Sequence, residues 1–272
     1  MLAADSLDSR CAQVPGTQTL DRAFALLRAI AAAGEAGATL AQLCAQLGGS
    51  PSTTYRVLQA LRQQGFVRPG REHGRHLLGY QLFALGAQAG NPGGLRDRAR
   101  PLLLRLAERF GDSFFLLVPD SYAVLCLEMQ GGQQPVRSYS EAVGGRIPMG
   151  VGQGSQVLLA HMSRRACRDV LRHNAATLRL DYGLDAELIA ATLPSVRRLG
   201  YACGLPDRRL PGYTGLAVPI VDSDGQVLGA LSCALSRPRM TTARRQALAQ
   251  TMREEAARMA RATAGVGGNL SS

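Results

Sequence analysis

The sequence contains no lysine: all 31 of its basic residues are arginine, set against 20 acids for a formal charge of +11. In a chain rich in Ala, Leu and Gly this skew reflects GC-rich coding as readily as an anionic partner, so overall charge identifies no ligand and only clustering can. No window of about 18 apolar residues is free of charge, and the best candidate, Ala23–Ala33, is broken by Arg28, which argues against a membrane span. Met1–Gly16 carries Asp5 and Asp8 where a secretory signal would be basic, with no apolar stretch behind them. It reads as a disordered cytoplasmic tail. The six cysteines lie 30 or more residues apart with no C-x-x-C pair, a pattern of reduced, buried thiols and not of a disulfide framework or zinc site.

What remains is ordinary globular composition, 272 residues with 46% apolar and 19% charged, long enough for two domains of about 100–170 residues. Residues 17–80 hold seven arginines against three acids. Thr19 is a candidate cap for a helix with Leu20, Phe24, Leu27 and Ile30 at helical spacing as far as Gly34. Thr39-Leu40-Ala41-Gln42 predicts a capping box, and Leu40, Leu43, Cys44 and Leu47 form one stripe of a short helix ending at Gly48. Gly48-Gly49 makes a tight turn, and Ser50 with Pro51 opens a third helix almost at once, the signature of a helix-turn-helix.

At 100° per residue, Thr54, Val57, Leu58 and Leu61 of this third helix share a core-facing arc. Ser52, Arg56, Gln59 and Gln63 lie opposite. That face carries hydroxyl, guanidinium and carboxamide groups without an acid, the groups that read base edges and phosphates, whereas an ordinary solvated face usually mixes in Glu or Asp. Phe66–Arg68 and His76–Leu78 then predict a β-hairpin, a wing, with Arg68, Arg71 and Arg75 in or beside its tip and Glu72 tempering its charge.

These segments resemble the IclR-type (isocitrate lyase regulator) bacterial transcription factors. The resemblance rests on Leu20-Asp21-Arg22-Ala23, Leu40–Leu47, Ser52-Thr53-Thr54-Tyr55-Arg56-Val57-Leu58, and Leu78-Gly79 with Leu82 and Leu85-Gly86. It continues through Arg100-Pro101, Leu106-Ala107-Glu108, Gly145-Arg146-Ile147-Pro148-Met149, Gly200-Tyr201-Ala202 and Gly215-Leu216-Ala217-Val218-Pro219-Ile220, covering roughly residues 17–263. It implies an α+β chain: a disordered tail (1–16), a winged helix-turn-helix (17–82), a linker with a pairing helix around Leu82–Gln88 (83–94), a GAF-like α/β effector-binding domain (95–264) and a second tail (265–272). DNA contacts are expected from Ser52, Thr53, Tyr55, Arg56, Gln59, Gln63, Arg68, Arg71 and Arg75.

The C-terminal part predicts strands at Phe114–Val118, Ala123–Met129, Leu216–Val221 and Val227–Ala234, with turns at Asp120-Ser121 and Asp222–Gly225 and a closing helix from Thr242 to about Ala262. Asn91-Pro92-Gly93-Gly94 is the clearest break before it. The resemblance implies an effector pocket walled by Ile147, Met149 and the Gly150–Gly154 loop with Gly150 and Val151, lidded by the Cys203–Asp207 loop with Cys203 and Asp207, and reached from strands by Gly215 and Ser232. Two departures bear on the ligand: Gly204-Leu205-Pro206 replaces an acid, and Ser155-Gln156 replaces a Gly-Lys pair. Asp207 or Arg208 then takes the polar anchor, or the ligand is more apolar.

Enzymatic readings fare worse. Gly111-Asp112-Ser113 could mark a serine nucleophile, yet no histidine follows His173 to serve as its base. His73 and His76 lack further metal ligands, and Gly150-x-Gly152-x-Gly154 lacks the preceding strand and downstream acid of a dinucleotide site. The expectation is a regulator without catalytic residues, metal or cofactor, acting as a dimer or dimer of dimers on a duplex operator under a small organic effector, aromatic or carboxylic. A DNA-tethered enzyme and a purely architectural DNA binder are the alternatives.

Overall fold

A computed structural model describes residues 16–264 other than Gly49, residues 90–93, Pro135, Arg137, Glu141 and Pro206. The tails expected at 1–16 and 265–272 therefore lie, but for Gly16, outside the described residues. Two compact units divide the chain, Met1–Gly90 and Asn91–Ser272.

In the first unit, α1 (Gln18–Ala32) buries Leu26 and Ile30. Its start lies one residue before the expected cap, and the helix begins after Thr17 without a side-chain cap bond. The expected apolar stripe is only half right: Leu20 and Phe24 point outward, because a core this small is covered by Ala23, Leu26, Leu27 and Ile30 and the first turns overhang it. After the 3-10 turn Gly34–Ala36, β1 (Ala38–Thr39) leads into α2 (Leu40–Leu47). The capping box forms as the spacing predicts, with Gln42 N–H donating to Thr39 Oγ1 at 3.3 Å and Thr39 N–H to Gln42 Oε1 at 2.9 Å.

Gly48, at φ 64°, closes α2, and α3 (Pro51–Gln63) follows. β2 (Val67–Pro69) and β3 (Arg75–Leu78) form the wing hairpin. Hairpin reasoning alone missed β1, whose two residues pair with β3 and make a three-stranded sheet of order β1-β3-β2. α4 (Tyr80–Ala89) leaves directly from the wing. Gly79 makes that exit possible: a Cβ there would sit 1.9 Å from the Gly65 carbonyl oxygen, while its N–H donates to Phe66 O at 2.8 Å.

The second unit opens with α5 (Leu95–Phe110), followed by the hairpin β4 (Ser113–Asp120) and β5 (Ala123–Gln130), then β6 (Arg146–Pro148). Three helices come next, α6 (Gly152–His161), α7 (Arg164–Thr177) with a π-turn at Leu178–Tyr182, and α8 (Ala186–Leu199). β7 (Ala202–Cys203), β8 (Tyr213–Val221), β9 (Val227–Ser236) and α9 (Thr242–Ala264) complete it. The strands form one antiparallel sheet in the order β6-β5-β4-β9-β8-β7.

Strand alternation sends successive side chains to opposite faces. Phe115, Leu117, Ala217 and Ala234 pack toward α6, α7 and α8, whereas Phe114, Leu116, Leu216, Leu231 and Cys233 pack toward α5 and α9. The fold is thus α+β, with helices on both faces of the C-terminal sheet and a winged helix-turn-helix before it. At the turn between α5 and β4, Asp112 is fully buried and paired with Arg239 at 2.6 Å and Arg244 at 2.7 Å. That gives the Gly111-Asp112-Ser113 segment a structural occupation: it anchors the approach to α9.

Candidate functional site

α3 presents the face its sequence predicts. Thr54, Val57 and Leu58 are buried and Leu61 packs beside them, so the opposite side leaves Ser52, Arg56 and Gln63 exposed and Gln59 half-buried. Tyr55 is exposed next to them. The N-terminus is organised by Ser50, whose Oγ accepts from the Thr53 N–H at 3.3 Å and donates to Thr53 Oγ1 at 2.9 Å, with Ser52 Oγ 3.3 Å away. Three hydroxyls cluster at the positive end of the helix, where Pro51 has no N–H and Ser50 takes up those of Thr53 and Thr54, a group suited to a phosphate or a base edge. Arg62, overlooked in the sequence, is also exposed on α3, seven residues and two turns from Tyr55, and its charge reaches His76 of the wing.

The three wing arginines are not equivalent. Arg71 is exposed at the tip. Arg75 is turned back into the protein, its Nε donating to Glu72 Oε2 at 2.6 Å and its Nη1 to Gly37 O at 3.2 Å, which pins the wing to the turn before β1. Arg68 lies with its guanidinium 5.1 Å from the Tyr80 ring centre, tying β2 to the start of α4. Sequence position alone could not separate these roles, because they depend on which neighbours the turn brings near.

In the second unit a cleft of about 590 Å³, part of it open to solvent, lies between the sheet, α6, the segment 138–140 and Gly204, Leu205, Asp207 and Leu210. Of the residues expected there, Ile147, Val151, Asp207 and Ser232 line it. Met149 and Gly150 do not. Met149 is fully buried in the core, and Gly150, at φ 120°, faces the Leu178 side chain, 2.9 Å from where its Cβ would stand. Cys203 is also absent from the lining, because on β7 it faces the α5/α9 side of the sheet. Burial raises the pKa of its thiol, and that of Cys233 in the same cluster is pushed up to about 12. Gly215 acts from beneath: a Cβ there would fall 2.0 Å from Cys233 O and 2.2 Å from Gln153 Nε2, so its absence makes room for Gln153.

The walls the sequence did not mark are Phe115, Leu117 and Ala234, with Tyr139 and Thr214 as polar members, while Leu205 comes from the expected lid and Gln153 from the expected Gly150–Gly154 wall. The Tyr139 hydroxyl donates to Asp207 Oδ2, and the other Asp207 oxygen accepts from the N–H groups of Arg209 and Leu210 at 2.8 and 2.9 Å. Asp207 is thus spent on holding its own loop, and Arg208 is not in the lining; its N–H donates to Tyr182 O. Among the described residues no arginine or histidine lines the cleft. Its positive end is the start of α6, where Val151 gives no side-chain cap and Gly152, Gln153 and Gly154 border the space.

An apolar cleft with few converging polar groups suits a small molecule, and the paired helices with a basic outer face suit a duplex. Comparison with known proteins points the same way. The family model of the IclR helix-turn-helix domain matches residues 19–70, and that of the bacterial transcriptional regulator IclR C-terminal region matches residues 91–261. The HTH-type transcriptional regulator BhcR of Paracoccus denitrificans is 30% identical over 242 residues, 89% of this chain and 85% of its own. The transcriptional repressor IclR of Escherichia coli is 27% identical over 219 residues, covering 79% and 78%. Among solved structures, an IclR homolog from Microbacterium hydrocarbonoxydans complexed with 4-hydroxybenzoate matches at a TM-score of 0.75 and 24% identity, over 91% of this chain and 99% of that one. Both halves of the molecule agree, and no helix among the described residues is long and apolar enough to cross a membrane. The chain belongs to the IclR family, bacterial transcriptional regulators and not enzymes, and carries that family's DNA-binding helix-turn-helix.

Proposed function

We propose that the protein binds a pseudo-palindromic operator as a homodimer or dimer of dimers, with α3 in the major groove, and that a small organic effector in the C-terminal cleft sets its affinity for DNA. The observation that carries the DNA half is the acid-free outer side of α3: exposed Ser52, Tyr55, Arg56 and Gln63 and half-buried Thr53 and Gln59, with Arg62 beside them. Arg71 is the wing residue suited to a phosphate, while Arg75 and Arg68 hold the wing in shape. Self-association draws support from Leu20, Phe24, Tyr80, Phe83 and Leu85, large apolar side chains exposed on α1 and α4.

The effector half rests on the cleft. Its apolar walls and the start of α6, which no side chain caps, favour an aromatic or carboxylic molecule. The 4-hydroxybenzoate of the Microbacterium homolog is of this kind. An effector that discriminates between two arrangements of the DNA-binding heads changes operator affinity by roughly 5–150-fold.

Duplexes enriched from a random pool by the protein itself provide the test. Arg56→Ala is expected to lower affinity for the enriched duplex by about 10–100-fold and relax its consensus at one position. Arg71→Ala is expected to weaken binding evenly across sequences and reduce the log–log salt slope by about 0.9. Unchanged binding by Arg56→Ala would overturn the orientation given to α3.

A further inference from the structure

Resting on the effector reading of the C-terminal cleft, we infer that Gln153 is a specificity-determining residue that presents a fixed hydrogen-bond acceptor to the ligand, selecting a molecule that places a hydroxyl, as a phenol or alcohol does, against the sheet end of the cleft.

The amide cannot turn freely. Gln153 Nε2 is 2.7 Å from Cys233 O and 3.0 Å from Ser232 Oγ. A backbone carbonyl only accepts, so the nitrogen must face it, and a flipped amide would set two oxygens against each other. Both Nε2 hydrogens are then used. Oε1 is left with its lone pairs: among the described residues none donates to it, and Gln153 lines the cleft. The backbone is shaped around this arrangement at two glycines. A Cβ on Gly204 would stand 2.9 Å from Oε1, and one on Gly215 2.2 Å from Nε2.

Ser232 completes the pair. It is 2% exposed and lines the cleft, and its Oγ accepts from Gln153, so its own O–H is available to donate. An acceptor and a donor side by side match a hydroxyl, which gives one hydrogen bond and receives one. They do not match a carboxylate at the same place, whose oxygens would meet the Oε1 lone pairs. The apolar side chains of Phe115, Leu117 and Ala234 around this point suit the body of such a molecule.

The test titrates the full-length protein calorimetrically with two fluorine-for-hydroxyl pairs, 4-hydroxyphenylacetate against 4-fluorophenylacetate and phenol against fluorobenzene. Fluorine keeps the size and removes the donor. The hydroxyl member is expected to bind about 10–100-fold more tightly, since its fluoro partner leaves Oε1 desolvated and unpaired. Gln153→Met, of similar length, is expected to bring each pair within about 3-fold. Gln153→Leu, checked for an unchanged thermal transition, serves the same purpose should the Met variant fold poorly. Equal binding of both members by the parent protein, or a preference that survives both substitutions, would overturn the assignment while leaving the cleft as an effector site. Failure of both pairs, with simple aliphatic acids still binding, would overturn the hydroxyl class alone. Failure of every small molecule would remove the effector reading itself.

Discussion

At the scale of single residues, burial decides what a charged side chain is for. Asp112 is fully enclosed and holds Arg239 and Arg244, both about three-quarters covered, so its removal strands two guanidinium groups in a poor solvent. Asp112→Ala is expected to cost about 3 kcal/mol, at the low end for a broken buried pair because the arginines keep some contact with water; urea unfolding followed by far-UV circular dichroism measures it. Arg75 and Arg68 make the complementary point. Both sit in a basic wing and look like phosphate ligands in one dimension, yet Glu72, Gly37 and Tyr80 claim them in three. Such partners, tens of residues apart in one instance, leave no local sequence signal. Gln153 fell within the expected Gly150–Gly154 wall, but its role could not be read there for the same reason, since its partners Ser232 and Cys233 lie some 80 residues away on β9.

At the scale of elements, the helices of the first unit were legible because their ends are written in the chain: Thr39 with Gln42, Gly48, Ser50 with Pro51. β1 was not, being two residues long and defined by its pairing to Arg75 and His76. The wing strand β3 carries a titratable group of its own. Partial burial lowers the pKa of His76 below the ordinary 6.5, with the nearby charge of Arg62 adding to it, so the folded wing favours the neutral ring. A base whose pKa is depressed on folding contributes stability above its unfolded value and loses it as pH falls through the folded one. Amide hydrogen exchange in α3 is therefore expected to accelerate as pH drops below about 6.5, after correction for the intrinsic rate. His76→Gln should flatten that response. The C-terminal sheet was likewise visible in its long strands and invisible in β6 and β7, short edges that periodicity cannot separate from loops. The same limit explains Met149, Gly150 and Cys203: a resemblance places a residue near a pocket but not on which side of the backbone it faces.

At the scale of the molecule, two half-sites can be gripped together only if two chains stay together. Phe83, 79% exposed on α4, is the most uncovered of the large apolar side chains among the described residues. Phe83→Asp is expected to lower the association state in sedimentation velocity and weaken binding to a full palindrome by about 100-fold or more, while affinity for a single half-site stays within about 2-fold. Equal loss on both duplexes would mean that the substitution had damaged the reading head instead. The junction at Gly79 bears on how such a pair could be regulated. Its N–H grips Phe66, the N–H of Gln81 reaches the Gly65 carbonyl at 3.4 Å, and no side chain fits between. The segment after α3, the root of the wing and the first turn of α4 are thereby clamped at one corner, like the elbow of a wrench, so a turn of the start of α4 is expected to carry the wing and the end of α3 with it.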